Sequence, residues 1–252
     1  MINIGTSGWY YQHWKGPFYP KDLPEAKMLE YYSNYFSTAE INNSFYKLPE
    51  TETLEQWRKS VPDKFVYSVK ASRYITHLKK LKDTGEAVLS FLARIKILRP
   101  KLGPVLFQLP PRWHFNLERL QEFAMLLPAE YKYTFEFRDP SWFNDRASET
   151  LAAINAAFCI YDLEGEESPH TVTADFVYVR LHGPDGAYSG NYDNATLSRW
   201  ASACLSWSKQ GKEVYLYFDN DQAGYAVKNA LELKALLEQP QVSYAFQRKS
   251  DT

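Results

Sequence analysis

The sequence has few of the residues from which disulfide frameworks and metal centres are built. Its 252 residues include two cysteines, Cys159 and Cys204, and five histidines. Two cysteines far apart in apolar surroundings predict buried, free thiols and exclude a disulfide scaffold. There is no HxH or HExxH pair, no phosphate-binding P-loop and no GxSxG nucleophile elbow. The sequence therefore lacks the motifs of zinc peptidases, P-loop nucleotidases and serine hydrolases.

Charge excess and long apolar runs are lacking as well. The 29 basic and 30 acidic residues leave a net charge of −1, so no global field attracts nucleic acid or an anionic membrane. No apolar run approaches the roughly 18 residues of a membrane span. The first residues, MINIGTSGWY, have neither the basic start nor the apolar centre of a signal peptide. We expect a cytoplasmic protein without membrane contact, in which any attraction for anions is local.

Aromatic side chains are abundant, at 16% of the sequence, and short β-rich runs alternate with longer helical segments. Strands are predicted at residues 2–5, 38–42, 65–70, 104–109, 133–138, 157–161, 176–182 and 214–219. Helices are predicted at residues 24–36, 52–60, 85–98, 116–127, 147–156, 194–211 and 222–238. The connection after the sixth strand shows no clear helical pattern.

Individual residues refine three of these helices. Asn116 and Asn194 are predicted N-caps, and Gly211 is a predicted stop signal. The helix at residues 85–98 is predicted to turn one apolar face to the core, formed by Val88, Leu89, Leu92, Ile95 and Leu98.

Eight strands alternating with about seven helices predict a TIM-type (β/α)8 barrel, which usually takes about 250 residues. A doubly wound open sheet is the alternative, but GTSGWYY after the first strand is not its GxGxxG fingerprint. Polar strand ends favour the barrel, because barrels collect their chemistry at the carboxyl ends of the strands. The residues at these ends are Asn42, Lys70, Gln108, Arg138, His182 and Asp219. We predict one α/β barrel domain over residues 1–252.

Seven longer motifs follow one another along nearly the whole chain: IGTSGWYYQHWKGPFYP, AEINNSFYKLP, YSVKASRYITHLKKL, LGPVLFQLPP, FEFRDPSWF, YVRLHGP and YFDNDQAGYAVKNA. Together they resemble the YecE-like family, a domain family of unknown function that is the seventy-second of its series. The resemblance implies a TIM-barrel-like fold and supplies no activity.

The arginines and the lysine at the strand ends predict an anion site. Arg138, Arg180 and Lys70 suit a carboxylate or a phosphate. His182 is predicted to exchange protons, together with Glu136 or Glu40.

Depth along the strand at residues 176–182 separates two of these groups. Arg180 lies two residues, or about 7 Å, below His182. We therefore expect Arg180 to pair with Glu136 or Glu40, and His182 to face the ligand at the rim. The alternative is a purely structural salt-bridge network around the arginines.

Further residues are predicted to bind the ligand, and they belong to the strand ends and the loops that follow. They are Asn42, Gln108, Asp219, Asn220, Trp9, Tyr46 and His77. The glycine-rich loop HGPDGAYSGNY and the segment DNDQAG are candidates for holding a phosphate on backbone amides. An ordinary loop with an Asx cap is the alternative for these glycines, and a hydrophobic plug is the alternative for the aromatic residues.

Two other kinds of site are weighed against the anion site. Glu40, Glu136, His182 and Asp219 could form an oxygen and nitrogen site for a divalent cation. The interleaved cations Lys70, Arg138 and Arg180 would repel such an ion, so no metal and no cofactor is predicted. Glu40 and Glu136 are the only carboxylate pair at a depth suited to a glycosidase, but arginine is expected to engage both.

The favoured function is an enzyme acting on an anionic, ring-containing substrate such as a sugar phosphate, a nucleotide or a nucleic-acid segment. Phosphoester hydrolysis is the preferred reaction. A non-catalytic protein that binds an anionic ligand or nucleic acid is one alternative, and a metal-dependent hydrolase or isomerase is another. Substrate identity, oligomeric state and the need for metal stay open.

Overall fold

The computed structural model describes residues 1–238, and eight parallel strands form its centre. In chain order the strands are β1 (Ile2–Thr6), β2 (Thr38–Ile41), β3 (Val66–Lys70), β4 (Leu102–Gln108), β5 (Tyr133–Glu136), β6 (Ala157–Leu163), β7 (Glu166–Glu167), β8 (Phe176–Leu181) and β9 (Glu213–Phe218). The short β7 pairs antiparallel with β6 and stands outside the barrel. The other eight match the predicted strands.

The barrel comes close to full closure between its first two strands. Neighbours follow the order β1-β9-β8-β6-β5-β4-β3-β2. At the seam, Ser7 forms a parallel bridge with Glu40, and the Gly8 amide donates to the Glu40 carbonyl at 2.9 Å. A Cβ atom on Gly5 would lie 2.3 Å from the carbonyl oxygen of Thr38. Glycine is therefore what lets β1 approach β2 here.

Within residues 1–238, seven α-helices surround the barrel. They are α1 (Met28–Tyr32), α2 (Thr51–Lys59), α3 (Gly85–Ile95), α4 (Leu117–Met125), α5 (Asp145–Ala153), α6 (Asn194–Lys209) and α7 (Tyr225–Glu238). The fold is thus the predicted TIM-type barrel, and the open doubly wound sheet is excluded. None of the described helices combines the length and the apolar character that a membrane crossing requires.

Helix details confirm some predictions and correct two. Asn116 caps α4 by accepting from the Arg119 amide at 2.9 Å. For α6 the cap is Asp193, which accepts from the Thr196 amide at 2.7 Å, so the prediction of Asn194 was wrong by one residue. Gly211 follows the end of α6 with a φ of +81°, as a stop signal should.

The predicted apolar face of α3 was wrong at one position, because Leu89 is 56% exposed. Phe91 is buried instead, beside Val88, Leu92, Ile95 and Leu98. The buried set follows the i, i+3, i+4, i+7 spacing of one helix face, from which Leu89 is turned by about 100°.

Side chains along the strands alternate between two cores. Val177, Val179 and Leu181 of β8 pack outward against the helices. Phe176 and Tyr178 point into the barrel, where they meet Tyr215 and Tyr217 of β9. Aromatic layers thus fill the lower barrel, and the next inward positions along β8 are Arg180 and His182.

Candidate functional site

Arg180 lies at the centre of the upper barrel and is completely buried. Its Nη2 donates to Glu40 Oε1 at 2.7 Å and to Asp219 Oδ2 at 3.0 Å, and its Nη1 donates to Glu136 Oε2 at 2.9 Å. The guanidinium therefore joins carboxylates from β2, from β5 and from the end of β9. The predicted pairing with Glu136 or Glu40 is found with both.

Glu40 is completely buried and fully engaged in the same layer. It accepts from Tyr178 at 2.6 Å, from Ser7 Oγ at 2.6 Å and from Arg180. Glu136 is also completely buried and binds Arg138 Nε and Arg180. The prediction that one of these glutamates exchanges protons with a ligand stays a prediction. In this structure both hold arginines.

His182 was expected at the rim, and this expectation was wrong, because the side chain is completely buried. The chain turns sharply after β8, at Gly183, and the following loop folds back over the imidazole. Tyr188 from this loop lies edge-on to the ring at a centroid distance of 5.6 Å. A Cβ on Gly183 would fall 2.0 Å from the Ser189 carbonyl oxygen, and its φ of +123° also favours glycine.

The hydrogen bonds of His182 define its tautomer. Nε2 lies 2.8 Å from Arg138 Nη2 and 3.3 Å from Arg180 Nη1, which can only donate, and 3.2 Å from Glu136 Oε1, which can only accept. The shortest of these contacts, to Arg138, assigns Nε2 as an acceptor. Nδ1 therefore carries the proton and donates to Asp219 Oδ2 at 3.1 Å. This arrangement, with a carboxylate behind the imidazole, is suited to proton transfer at Nε2 once Arg138 moves away.

Electrostatics keep Glu136 and Asp219 ionised. Burial alone would raise the pKa of Glu136, but the charges of Arg138 and Arg180 hold it well below its usual value. Burial also opposes ionisation of Asp219, and Arg180 nevertheless lowers its pKa. The three carboxylates are balanced by Arg180, Arg138 and Lys70. Apart from its histidine, the site is therefore close to neutral.

Lys70, at the end of β3, differs from the other cations of the cluster. It is only 8% exposed, and its Nζ lies 4.5 Å from the ring centroid of Phe45. Within residues 1–238 no carboxylate oxygen lies within 4.0 Å of this ammonium group. Burial, followed by the charge of Arg180, lowers the pKa of Lys70 to about 8. Lys70 is thus a nearly buried cation without an acidic partner of its own.

His77 is a predicted ligand residue that lies near this cation. His77 is half-buried and lies edge-on to Phe45, with 4.9 Å between the ring centroids. Burial and the charges of Lys70 and Arg73 lower the pKa of His77 to about 4, so it is neutral at pH 7. Gln108, at the end of β4, is 8% exposed.

The remaining predicted ligand residues lie in different surroundings. Asn42 and Trp9 line a cavity between the first two strands. Tyr46 is 75% exposed on the outer surface. Asn220 was expected to face the ligand, but it is completely buried and donates to the Gly190 carbonyl and to Asn229 Oδ1, both at 2.9 Å. It therefore ties the loops after β8 and β9 together.

A basic rim borders the mouth next to Lys70, and the sequence reasoning missed most of it. We define the rim as five exposed cations: Lys47, Arg73, Lys79, Lys80 and Lys82. None of the five has a carboxylate oxygen within 4.0 Å among the residues that the structure describes. Residues 70–82 contain five cations and no acid, and this run of charge was the signal that could have revealed the rim.

The carboxylates at the barrel mouth are hydrogen-bonded to Arg180 and do not converge on a common point at which a metal ion could lie. Among the described residues there is no group of three histidine, cysteine or acidic side chains that could hold a metal ion. The prediction of no tightly bound metal is tested by elemental analysis of protein purified without chelators. We expect substoichiometric transition metal, and near-stoichiometric zinc, manganese or iron would instead require a metal-dependent hydrolase or isomerase.

Fold and site together define a (β/α)8 barrel with a buried ion cluster at the carboxyl ends of its strands. A family model described as "Protein of unknown function DUF72" matches residues 3–251, and the chain belongs to this family. The predicted resemblance is thereby confirmed.

Relatives and solved structures agree with this assignment. The chain is 28% identical to the UPF0759 protein YunF of Bacillus subtilis, over 94% of this chain and 95% of YunF. It is 32% identical to the UPF0759 protein YecE of Escherichia coli, over 57% of this chain and 50% of YecE. A crystal structure of a DUF72 family protein from Thermotoga maritima superposes with a TM-score of 0.87 at 29% identity, covering 95% of this chain and all of that one.

Proposed function

We propose that the protein is an enzyme that binds an anionic, ring-containing substrate at the barrel mouth and hydrolyses a phosphoester. The observation that carries the proposal is Lys70. Burying an ammonium group without a partner is unfavourable, and such groups are concentrated at functional sites. An anion bound to Lys70 would supply the missing negative charge. The basic rim supports the same ligand class, because unpaired surface cations raise the local concentration of anions.

The chemistry that fits this site is a proton transfer at His182. An anion that draws Arg138 toward itself would remove the shortest hydrogen bond to Nε2 of His182 and leave only the longer contact with Arg180 Nη1, at 3.3 Å, among its guanidinium contacts. Nε2 would then take a proton from a water molecule as the water oxygen attacks phosphorus, and Asp219 would stabilise the resulting imidazolium. The ester oxygen would leave with its bonding electrons and take up a proton from solvent. Lys70 and Arg138 would offset the charge that develops on the phosphoryl oxygens.

A non-catalytic binding protein is the second candidate, and one observation favours it. His182 is completely buried beneath Tyr188, and both of its ring nitrogens are already hydrogen-bonded. A binding protein would use Lys70 and the basic rim and would not need to expose the imidazole.

Turnover of phosphoesters separates the two candidates. Wild-type protein and His182→Asn are incubated with a panel of phosphomonoesters and phosphodiesters between pH 5 and pH 9, and released phosphate or alcohol is measured. We expect wild-type turnover that follows an ionisation and falls about 10²-fold or more in the variant. Circular dichroism shows whether the variant is folded. Stabilisation of the wild type by phosphate without any product would support the binding protein and contradict the enzyme.

A further inference from the structure

We infer that the cavity between β1 and β2 binds the ring of the ligand, and that this ligand is a nucleotide or a comparable phosphorylated heterocycle. We call it the aromatic cavity and define it by Trp9, Tyr10, Tyr11, Asn42 and Trp57, with the backbone of Gly8 at its edge. Its volume is about 460 Å³, which is large enough for a nucleobase. This inference rests on the proposed function, because it assigns the ring of the same ligand.

The walls of the aromatic cavity are aromatic and held in place. Trp9 is buried and meets Trp57 edge-on, with a centroid distance of 5.0 Å and an interplanar angle of 85°. Tyr11 is fixed by donating its hydroxyl proton to the Ser7 carbonyl at 2.6 Å. Tyr10 is 54% exposed. Rigid aromatic faces favour planar rings, which stack on them without much loss of side-chain freedom.

Asn42 gives this apolar cavity an unused hydrogen-bonding group. Its amide oxygen is buried and has no hydrogen-bond partner in the part of the chain that the structure describes. Buried polar atoms are nearly always paired, so an orphan at a cavity wall indicates a partner that comes from outside the chain. An amide offers one acceptor and two donors, which match adjacent donor and acceptor atoms on the edge of a base such as adenine.

The position of Asn42 places the aromatic cavity beside the cationic mouth. Strands β2 and β3 are parallel, and Ile41 pairs with Val69. Lys70 is the residue after Val69, and Asn42, the residue after Ile41, leaves the strand with a helical backbone (φ −97°, ψ −29°), so the two residues follow neighbouring positions at the same end of the barrel. Ser44 strengthens this neighbourhood by donating to the Lys70 carbonyl at 2.6 Å. A ligand whose ring lies against Asn42 would thus present its anionic group to Lys70.

Binding of four probes tests the inference: AMP, adenosine, ribose 5-phosphate and inorganic phosphate. Affinities are measured by calorimetry and by quenching of tryptophan fluorescence, since Trp9 and Trp57 line the aromatic cavity. We expect AMP to bind at least about tenfold more tightly than ribose 5-phosphate or phosphate. Asn42→Ala should weaken AMP and adenosine about tenfold and leave phosphate unchanged, which is the usual effect of one hydrogen bond. Asn34→Ala, an exposed asparagine distant from the mouth, is the matched control.

The outcomes distinguish this inference from the proposed function. Equal affinity for AMP and phosphate, with loss of both in Lys70→Met, would refute the ring site and leave the anion site standing. AMP binding that Asn42→Ala does not change would also refute the ring site. Failure of every probe to bind would refute both proposals. A 5′-phosphorylated hexanucleotide shows whether the ring belongs to a free nucleotide or to the end of a nucleic acid. If the ligand is a nucleic-acid end, the hexanucleotide should bind more tightly than AMP, and its affinity should still depend on Asn42. Hexanucleotide affinity that depends only on Lys79, Lys80 and Lys82 would contradict the inference.

Discussion

Replacing Arg180 by methionine is expected to prevent stable folding at pH 7. Glu40 and Asp219 would lose their guanidinium partner, and Glu136 would retain only Arg138. Breaking one buried ion pair costs about 3–5 kcal/mol, and this change breaks three. The total is comparable to the whole stability of a typical domain, which is about 5–15 kcal/mol.

The pH dependence of the Arg180→Met variant should have the opposite sign to that of the wild type. In the wild type the pKa values of Glu136 and Asp219 are depressed. Their stabilising effect is present above the unfolded pKa values of about 4, and it is lost as the pH falls below them. Without Arg180, Glu40 and Asp219 are carboxylates that have lost their guanidinium partner, and burial is expected to raise the pKa of Asp219. The variant should then gain stability as the pH falls and these carboxyl groups take up protons.

Chemical denaturation at pH 7 and at about pH 3 measures both effects, with circular dichroism as the probe. Arg199→Met is the control, because Arg199 pairs with Glu167 at 2.8 Å on the surface. Such an exposed pair contributes about 0–1 kcal/mol, so this variant should unfold almost like the wild type. An Arg180→Met protein as stable as the control would show that the ion cluster does not hold the barrel together.

Replacing Lys70 by methionine is expected to make the protein more stable and to abolish its affinity for phosphate. The folded state lowers the pKa of Lys70 from 10.5 to about 8. A fall of this size corresponds to about 3 kcal/mol of destabilisation while the ammonium is charged in both states. Methionine would keep the contact with Phe45 and remove this unfavourable burial of charge. It would also remove the cation that we propose as the anion ligand.

The size of this stabilisation changes with pH in a way that isolates Lys70. Because the folded state releases the lysine proton at a lower pH than the unfolded state does, the wild type gains stability as the pH rises from about 8 to about 10.5. The variant lacks this gain. The difference in unfolding free energy between the two proteins should therefore be largest below pH 8 and should shrink above it.

Denaturation between pH 7 and pH 10.5, with and without phosphate, measures the stability and the binding together. The matched control is Lys101→Met, since Lys101 is equally buried but donates to the carbonyls of Arg58 at 2.8 Å and Val61 at 2.7 Å. Losing these bonds leaves two carbonyls unpaired, so this variant should be less stable by about 1–3 kcal/mol or more. Substitution of these two buried lysines by methionine should thus change the free energy of unfolding in opposite directions. A destabilised Lys70→Met protein that still binds phosphate would contradict the role assigned to Lys70.

Helix boundaries show where local sequence signals suffice. The Asn116 cap was predicted correctly because an N-cap bonds to an amide only three residues away. At the start of α6 the chain offers two capping side chains in succession, Asp193 and Asn194, and the local pattern cannot choose between them. The choice depends on the backbone conformation at Asp193, which lies in the extended region with a ψ of 166°.

The barrel and the meeting of Glu40, Glu136, Arg180, His182 and Asp219 followed from the sequence alone. Side chains two residues apart on a strand share a face, and the carboxyl ends of parallel strands come together at one end of a barrel. These two rules need only the strand positions, which the apolar pattern reveals. They also fix the depth of Arg180, two residues below the strand end.

Only the tertiary structure decided which of these groups is accessible. His182 is buried because Tyr188, six residues further along the chain, folds back over it. Within residues 1–238 Lys70 has no carboxylate oxygen within 4.0 Å, because Arg180, 110 positions away in the sequence, engages Glu40, Glu136 and Asp219. Loop conformation and competition between distant side chains for the same partners depend on three-dimensional packing. Neither leaves a periodic signal in the sequence. The sequence could therefore predict which side chains meet in the site, but not which of them are exposed to solvent.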